Sequence, residues 1–381
     1  MKTYITSIGT ANPEYAYSQS DILSFMLRAL SLDLEEERKL RVLYRASGIQ
    51  RRFSVLPDYQ SNTSEHLLYP YHPQLLPSPT VGERMKVYQK EALPLAMRAV
   101  ESCLAKAVHV GRQQITHLVT VSCTGMYAPG LDIELIERLG LNSHIQRVAI
   151  QFMGCYGAFN GLKVADALCK ASSSAKVLVV CVELCSLHFQ HSKSDDQLLA
   201  AALFADGAAA ALIENQANAD KNLLLKSFWC DVFSEGKTDM AWHIADLGFE
   251  MVLSSYVPDL LGKGIQTLVE RLLKQTQIQW NDIQLLAIHP GGKRILEEIE
   301  NALQISKEAN YFSYDVLKNF GNMSSATVLF VLEKLLNSLQ ITDKGKNILS
   351  MAFGPGLTVE SAIFEIVINQ EVSSNQSESY P

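Results

Sequence analysis

Three glycine-flanked turns carry the side chains that could do chemistry. Cys155 stands in Gly154-Cys155-Tyr156-Gly157, between the apolar run Val148–Phe152 and the helix-patterned stretch Ala158–Lys170. A thiol at a strand-to-helix turn meets the positive end of the helix dipole, which favours the thiolate, its reactive form. His289 closes the apolar run Leu285–Ile288 and is followed by Pro290-Gly291-Gly292. That is the carboxyl end of a strand, where α/β sheets bind ligands. Asn322 lies in Gly321-Asn322-Met323-Ser324-Ser325, ahead of a third helical pattern. Singly, each has an ordinary explanation: a small buried hydrophobe, a core histidine, a helix cap. Together they are the parts of an acyl-transfer site: a nucleophile, a base, and a donor for a developing oxyanion. On this reading Cys155 titrates below the roughly 8.5 of a free thiol, helped by a protonated His289.

The elements that must hold these turns alternate. Leu118–Ser122, Val148–Phe152, Val177–Cys181 and Leu285–His289 read as buried strands. Ile133–Leu139, Ala158–Lys170, Ile265–Lys274 and Ala326–Leu339 have helical periodicity. Such alternation predicts an α/β protein with covered sheets. The start, Met1–Pro13, reads as a strand and a turn and lacks a signal-peptide core. With 381 residues the chain makes two to three domains, or one large duplicated one. The polar stretch Asn215–Asp220 is the best boundary, dividing residues 1–219, which carry the cysteine, from residues 220–369, which carry the histidine and asparagine. Residues 54–80 shift to Pro, Tyr, Ser and His and read as an irregular surface excursion, and residues 370–381 as a frayed, disordered tail.

Composition excludes several classes. Hydrophobic residues make up 48% and charged residues 19%, as in a well-cored globule. A net charge of −7 leaves no broad basic field for nucleic acid or an anionic membrane. No apolar run approaches the roughly 20 residues of a spanning helix, so no integral membrane segment and a cytoplasmic location are expected. The seven cysteines include no CxxC pair, which disfavours a disulfide framework or a cysteine-based zinc site. His188 and His191 have HxxH spacing but no third ligand, so no metal is expected. No glycine-rich nucleotide loop stands in a strand-helix context, and no cofactor is called for.

The strings IGTANP (Ile8–Pro13), GCYG (Gly154–Gly157), VLVVCVEL (Val177–Leu184), ALFADGAAA (Ala202–Ala210), HPGG (His289–Gly292), GNMSSATVLFVLE (Gly321–Glu333) and FGPGLTVE (Phe353–Glu360) occur in this order across the chain. In them the sequence resembles the type III polyketide synthases, the chalcone synthase-like branch of the thiolase superfamily. The resemblance implies a five-layered αβαβα fold built from two pseudo-repeated βαβαβ halves, usually a homodimer. It implies Cys155 as the acyl-bearing nucleophile, with His289 and Asn322 as its partners and Ser324 in the pocket beside them. Phe204 is implied as an aromatic gate between the thiol and the CoA entrance, and Met251 replaces a second gating phenylalanine. Lys39 matches one basic position of the CoA tunnel, with Arg41 and Arg45 close by. Ala128-Pro129 is implied to be a cis peptide at the dimer interface. Trp242 stands where plant members have a small cavity-lining glycine, and Cys123 and His188 stand where they have threonines.

What the resemblance implies for function is a decarboxylative condensation. Acyl-CoA loads Cys155, malonyl-CoA loses CO₂, and the carbanion extends the chain before cyclisation; CoA thioesters are substrates and no cofactor takes part. Thr124, Ala128 and Cys185 are small and match the positions that open an acyl tunnel in bacterial alkylresorcinol- and alkylpyrone-forming members. A medium or long fatty acyl-CoA starter is therefore expected, with several malonyl units. The alternatives are a short-product enzyme using small starters, a ketoacyl synthase III-like enzyme that condenses once, and a silent acyl-binding scaffold.

Overall fold

The computed structural model of the chain describes residues 1–60, 66–69 and 77–369. In chain order the elements are β1 (Tyr4–Ala11), β2 (Tyr15–Ser18), α1 (Gln19–Ala29), α2 (Leu34–Ala46), β3 (Arg51–Ser54), α3 (Val81–Lys106), β4 (His117–Ser122), α4 (Leu131–Leu139), β5 (Gln146–Gln151), α5 (Gly157–Ala171), β6 (Lys176–Leu184) and α6 (Asp195–Leu203). There follow β7 (Asp206–Glu214), β8 (Lys221–Val232), β9 (Met240–Ala245), β10 (Gly248–Leu253), α7 (Val257–Thr276), β11 (Ile283–Ile288), α8 (Lys293–Leu303), α9 (Tyr311–Phe320), α10 (Thr327–Ser338), β12 (Asn347–Gly354) and β13 (Thr358–Ile368).

Nine strands form one sheet in the order β11-β12-β13-β8-β1-β7-β6-β4-β5. Its two ends repeat one pattern. β4 runs parallel to β6, then β7 and β1 follow antiparallel; β11 runs parallel to β12, then β13 and β8 follow antiparallel. The halves join where β1 pairs with β8, at Tyr4 with Leu224 and Ile5 with Leu223. The polar stretch Asn215–Asp220 is the turn that carries the chain from β7 into β8.

Side-chain alternation explains the layers. On β6, Leu178, Val180 and Val182 enter a core with α3, while Val177, Val179 and Cys181 enter a second core with α5 and α10. On β12, Ile348 and Ala352 enter that same second core, and Leu349, Met351 and Phe353 enter a third with α7 and α8. The order is helix, sheet, helix, sheet, helix: the expected five layers. The middle layer is made of α5 and α10, the helices that follow the Cys155 and Asn322 turns. Burial of both sheet faces is why the strands read as continuous apolar runs.

Two expectations fail. Val148–Phe152 was expected as a buried strand, but β5 is the sheet's edge strand and is mostly exposed, with Val148 37% accessible. Apolar composition marked it as a strand; its place in the sheet decided its burial. Residues 54–80 are also not simply a surface excursion. Leu56, Asp58, Tyr59 and Tyr69 are buried. The Asp58 carboxylate accepts the backbone N–H groups of Leu67, Leu68 and Tyr69 at 2.9, 2.9 and 2.6 Å and draws that segment onto the core. Residues 61–65 and 70–76, like the expected tail 370–381, lie outside the described residues.

Helix α3 lies close on β1. Ala92, Ala96 and Ala99 are fully buried, and the Ser7 hydroxyl donates to Cys103 O at 2.7 Å. A Cβ at Gly9 would stand 2.1 Å from the Cys103 amide nitrogen, a backbone atom that cannot swing aside. Gly9→Ala is expected to destabilise the fold by about 1–3 kcal/mol, the range for overpacking. A urea melt checks this: the midpoint falls at unchanged slope.

Candidate active site

Cys155 sits on one 3₁₀ turn, Gly154–Tyr156, that runs straight into α5. Gly154 has φ +74°, and a Cβ there would lie 2.2 Å from Pro355 Cδ, so only glycine admits this turn. Strain gathers around it: Phe152 has φ 58° and Ser324 has φ 46°. Such conformations persist where surrounding packing overrides them.

Asn322 comes from the matching turn of the other half. Its backbone bridges to Phe204: Asn322 N donates to Leu203 O at 2.9 Å and Ala205 N donates to Asn322 O at 2.8 Å. The Asn322 Oδ1 accepts from Ser324 N at 2.9 Å, which turns Nδ2 toward Cys155 Sγ at 3.9 Å and Gly291 O at 3.2 Å. The amide lies side-on to the thiol: Cys155 Sγ donates toward Oδ1 at 3.8 Å and stands 3.9 Å from Nδ2. His289 is fully buried at the end of β11, its backbone N donating to Met351 O at 2.8 Å. Neither ring nitrogen has a hydrogen-bond partner among the described residues, and the ring lies against Gly291, the residue whose carbonyl meets Asn322. The structure therefore gathers all three turns at one place.

Burial reverses the expected titration. It pushes the Cys155 thiol up to about 12, against hydrogen bonds from the Ser324 and Asn322 side chains that pull it down. The same burial drives His289 down to about 3. Thiol and imidazole are both neutral here: removing water costs the charged forms more than the helix end returns. A residue that sequence reasoning missed adds to this. Glu183, fully buried on β6, accepts from Cys123 N at 3.0 Å, Thr124 Oγ1 at 2.9 Å and the Ser325 hydroxyl. Burial raises its carboxyl to about 7, and its charge pushes the Cys155 thiol further up. A lone charged residue inside the apolar string VLVVCVEL was the available signal.

Beside Cys155 lies a cavity of about 60 Å³ lined by Phe204, Cys123, Thr124, Cys185 and Ser324 and closed by Trp242, Met251 and His188. Trp242 and Met251 face each other across the β9–β10 hairpin. The Trp242 indole Nε1 donates to Cys123 O at 2.7 Å, pinning the hairpin over the thiol. His188 Nδ1 accepts from Phe249 N at 3.1 Å, so its Nε2–H donates to Thr124 O at 2.6 Å. Burial lowers its pKa to about 3, and its ring stacks on Phe249 at 4.2 Å. With both nitrogens spent, and His191 Nε2 on Ala29 O at 2.7 Å, this pair is structural.

The Ala128-Pro129 peptide is cis, as expected, and Ala128 is exposed on the surface of the chain, apart from the residues that line this chain's own cavity. The basic cluster is also only partly as expected. A second cavity, of about 380 Å³, opens on the far side of Leu203, between Lys39, Leu43, Ser254, Gly292, Lys293 and Arg294. Lys39 is there, bonded to Glu35 at 2.8 Å. Arg41 is held by Glu37 at 2.6 Å on the same helix, and Arg45 is exposed; neither lines this cavity. Lys293 and Arg294 line it beside Lys39. They follow HPGG directly, where α8 begins, and that adjacency was the missed signal. Phe204 lines the inner cavity and its neighbour Leu203 the outer one, so this segment forms the partition between them.

Five layers around a buried thiol, imidazole and amide define a thiolase-fold acyltransferase. Residues 1–217 match the chalcone and stilbene synthase N-terminal domain and residues 225–368 the corresponding C-terminal domain. The chain belongs to the chalcone and stilbene synthase family, the type III polyketide synthases. It is 32% identical over 377 residues to "Probable polyketide synthase 1" of Dictyostelium discoideum, covering 96% of this chain but only 12% of that much longer protein. It is 30% identical over 367 residues to the "Alpha-pyrone synthesis polyketide synthase-like Pks18" of Mycobacterium tuberculosis, covering 95% and 91% of the two chains. Among solved structures, the C-terminal type III polyketide synthase domain of Steely1, a type I/III hybrid from Dictyostelium, superposes with a TM-score of 0.87 at 30% identity, covering 97% of this chain and 100% of that one. PKS-I of the brown alga Ectocarpus siliculosus gives 0.88 at 28% identity, covering 96% and 98%. Among the described residues no helix is long and apolar enough to cross a membrane.

The raised thiol pKa has a direct readout. Iodoacetamide inactivation of the unliganded enzyme is expected to accelerate with pH, with a midpoint above the roughly 8.5 of a free thiol. A midpoint below that value would show a thiolate–imidazolium pair already formed without substrate.

Proposed function

We propose that the chain extends an acyl-CoA starter with malonyl-CoA by decarboxylative condensation and releases a cyclised alkylpyrone or alkylresorcinol. The observation that carries this reading is the convergence of Cys155, Asn322 and the His289–Gly291 turn in a water-excluding pocket. In it, Cys155 Sγ attacks the starter thioester as neutral His289 takes the thiol proton; the carbon–sulfur bond to CoA breaks and CoA leaves with that proton. Malonyl-CoA then enters from the outer cavity, its CoA phosphates met by Lys39, Lys293 and Arg294. On loss of CO₂, charge develops on the thioester oxygen. Asn322 Nδ2–H and a His289 N–H donate to it, an interaction stronger along the reaction path than before it. Cys155→Ala is expected to abolish the acyl adduct seen by mass spectrometry. Asn322→Ala is expected to slow CO₂ release from malonyl-CoA by about 10²–10³-fold.

The starter we propose is a medium or long fatty acyl-CoA, its tail passing Cys185 toward Ile22 and Met26 on α1, which also line the cavity. The name of the mycobacterial relative, which specifies alpha-pyrone synthesis, supports a pyrone product. A second reading, a small starter and a short product, is favoured by the 60 Å³ cavity and by the Trp242 indole fixed across it. The two differ in how catalytic efficiency runs with acyl length. Burial of each CH₂ gives up to about 0.8 kcal/mol, close to fourfold in affinity. Efficiency is expected to rise from acetyl- to longer acyl-CoA, and Trp242→Ala to extend the range. A falling trend in the wild type selects the small-starter reading. We further propose a homodimer, with the exposed edge strand β5 and the neighbouring Met126 and Ala128 as its face.

A further inference from the structure

The cavity beside Cys155 has a polar wall that the condensation does not use. Arg52, on β3, lines it and is only 4% exposed. Its Nε donates to Gln19 Oε1 at 2.9 Å, and its Nη1 donates to Ala201 O and Phe204 O, both at 2.7 Å. Its Nη2 is buried with no hydrogen-bond partner among the described residues. The acceptors it does have are an amide and two backbone carbonyls; its guanidinium lies over the Tyr44 ring at 5.8 Å, and no carboxylate among the described residues pairs with it. Burying such a group is costly unless something completes its shell.

Tyr59 lines the same cavity. Its ring is fixed edge-on to Phe25 at 4.7 Å and to Tyr17 at 5.4 Å. Among the described residues its hydroxyl makes no hydrogen bond. Burial raises that hydroxyl's pKa, while the Arg52 charge is close enough to oppose the rise. Asp206, the carboxylate that also acts on Tyr59, is spent on Val55 N, Ser186 N and the Ser186 hydroxyl at 2.9, 2.7 and 2.6 Å. Two donors on residues that line one cavity, one of them cationic, thus have no hydrogen-bond acceptor among the described residues.

We infer that Arg52 Nη2 and the Tyr59 hydroxyl form a subsite for an oxygen of the Cys155-bound acyl chain, a keto or enolate oxygen of the growing β-keto chain. The inference rests on the polyketide reading for the identity of that chain. The malonyl carboxylate is a poor occupant, because a cation that stabilises it holds the ground state and slows loss of CO₂. A carboxylate at the far end of the starter has the same chemistry as the keto oxygen and is the other possible source. The geometry suits a chain already on the thiol. Arg52 holds the Phe204 carbonyl, and Phe204 bridges to Asn322 beside Cys155; Tyr59 lies further along, toward α1.

The test compares the wild type, Tyr59→Phe and Arg52→Lys with malonyl-CoA and either hexanoyl-CoA or its ω-carboxylate counterpart, adipoyl-CoA. Acyl adducts, CO₂ and product masses are measured. Tyr59→Phe removes one oxygen that no protein group uses, so it decides the matter if Arg52→Lys disturbs the fold. With hexanoyl-CoA both variants are expected to lower the ratio of the longest to the shortest product about tenfold or more, as for loss of a hydrogen bond to a charged or strongly dipolar group. If the occupant is a starter carboxylate, the wild type loads adipoyl-CoA at least tenfold faster than hexanoyl-CoA and the variants erase that preference. CO₂ release with unchanged product ratios and no loading preference overturns the subsite and leaves the polyketide reading standing. Absence of CO₂ release removes that reading, and the loading preference then decides the subsite alone.

Discussion

Everything in this molecule follows from the closure of two half-sheets over one shared helical layer. α5 and α10 fill that layer, and each starts at a turn that carries a site residue. Because both are packed between sheets, neither start can reach water. Cys155 and Asn322 meet because the apolar faces of β6 and β12 meet the same helices. The hydrophobic effect that builds the core thus also builds the site, and it dries the site as it does so.

Dryness sets the electrostatics. A thiol and an imidazole that would ionise as a pair in a wet cleft stay neutral in this one. Glu183 works in the same direction, since a buried carboxyl near the thiol adds negative charge whenever it ionises. A neutral thiol is less open to alkylation or oxidation, because the thiolate is the reactive form. On the proposed mechanism, the charge that develops on the substrate's thioester oxygen supplies the driving force for proton transfer.

The Leu203–Phe204 segment separates the two cavities. Its backbone is stitched to Asn322 on one side and to Arg52 on the other, so the partition between the two cavities and the donor amide are parts of one unit. The inner cavity is closed by side chains bonded to main-chain carbonyls: Trp242 to Cys123 and His188 to Thr124. Such bonds fix a wall more firmly than apolar contact, since breaking one inside a dry cavity leaves unpaired polar groups. The capacity of this pocket therefore depends on whether the β9–β10 hairpin moves as a unit.

The sequence by itself determined the layered α/β fold, the three turns and the chemistry they share. Those features are local. Gly154 is needed for its own turn, strand runs carry their own apolar pattern, and the Cys, His and Asn strings are contiguous. Tertiary structure decided what depends on distant neighbours. Sheet order made β5 an exposed edge although its composition is apolar. Burial, summed over the three cores, inverted the expected titration of Cys155. The exposed position of Ala128 and the choice of Lys293 and Arg294 over Arg41 and Arg45 depend on how elements far apart in sequence face one another. Arg52 and Tyr59 escaped notice for the same reason: nothing in an arginine beside a strand, or a tyrosine after a proline, marks its donors as buried and unfilled until the fold closes around them.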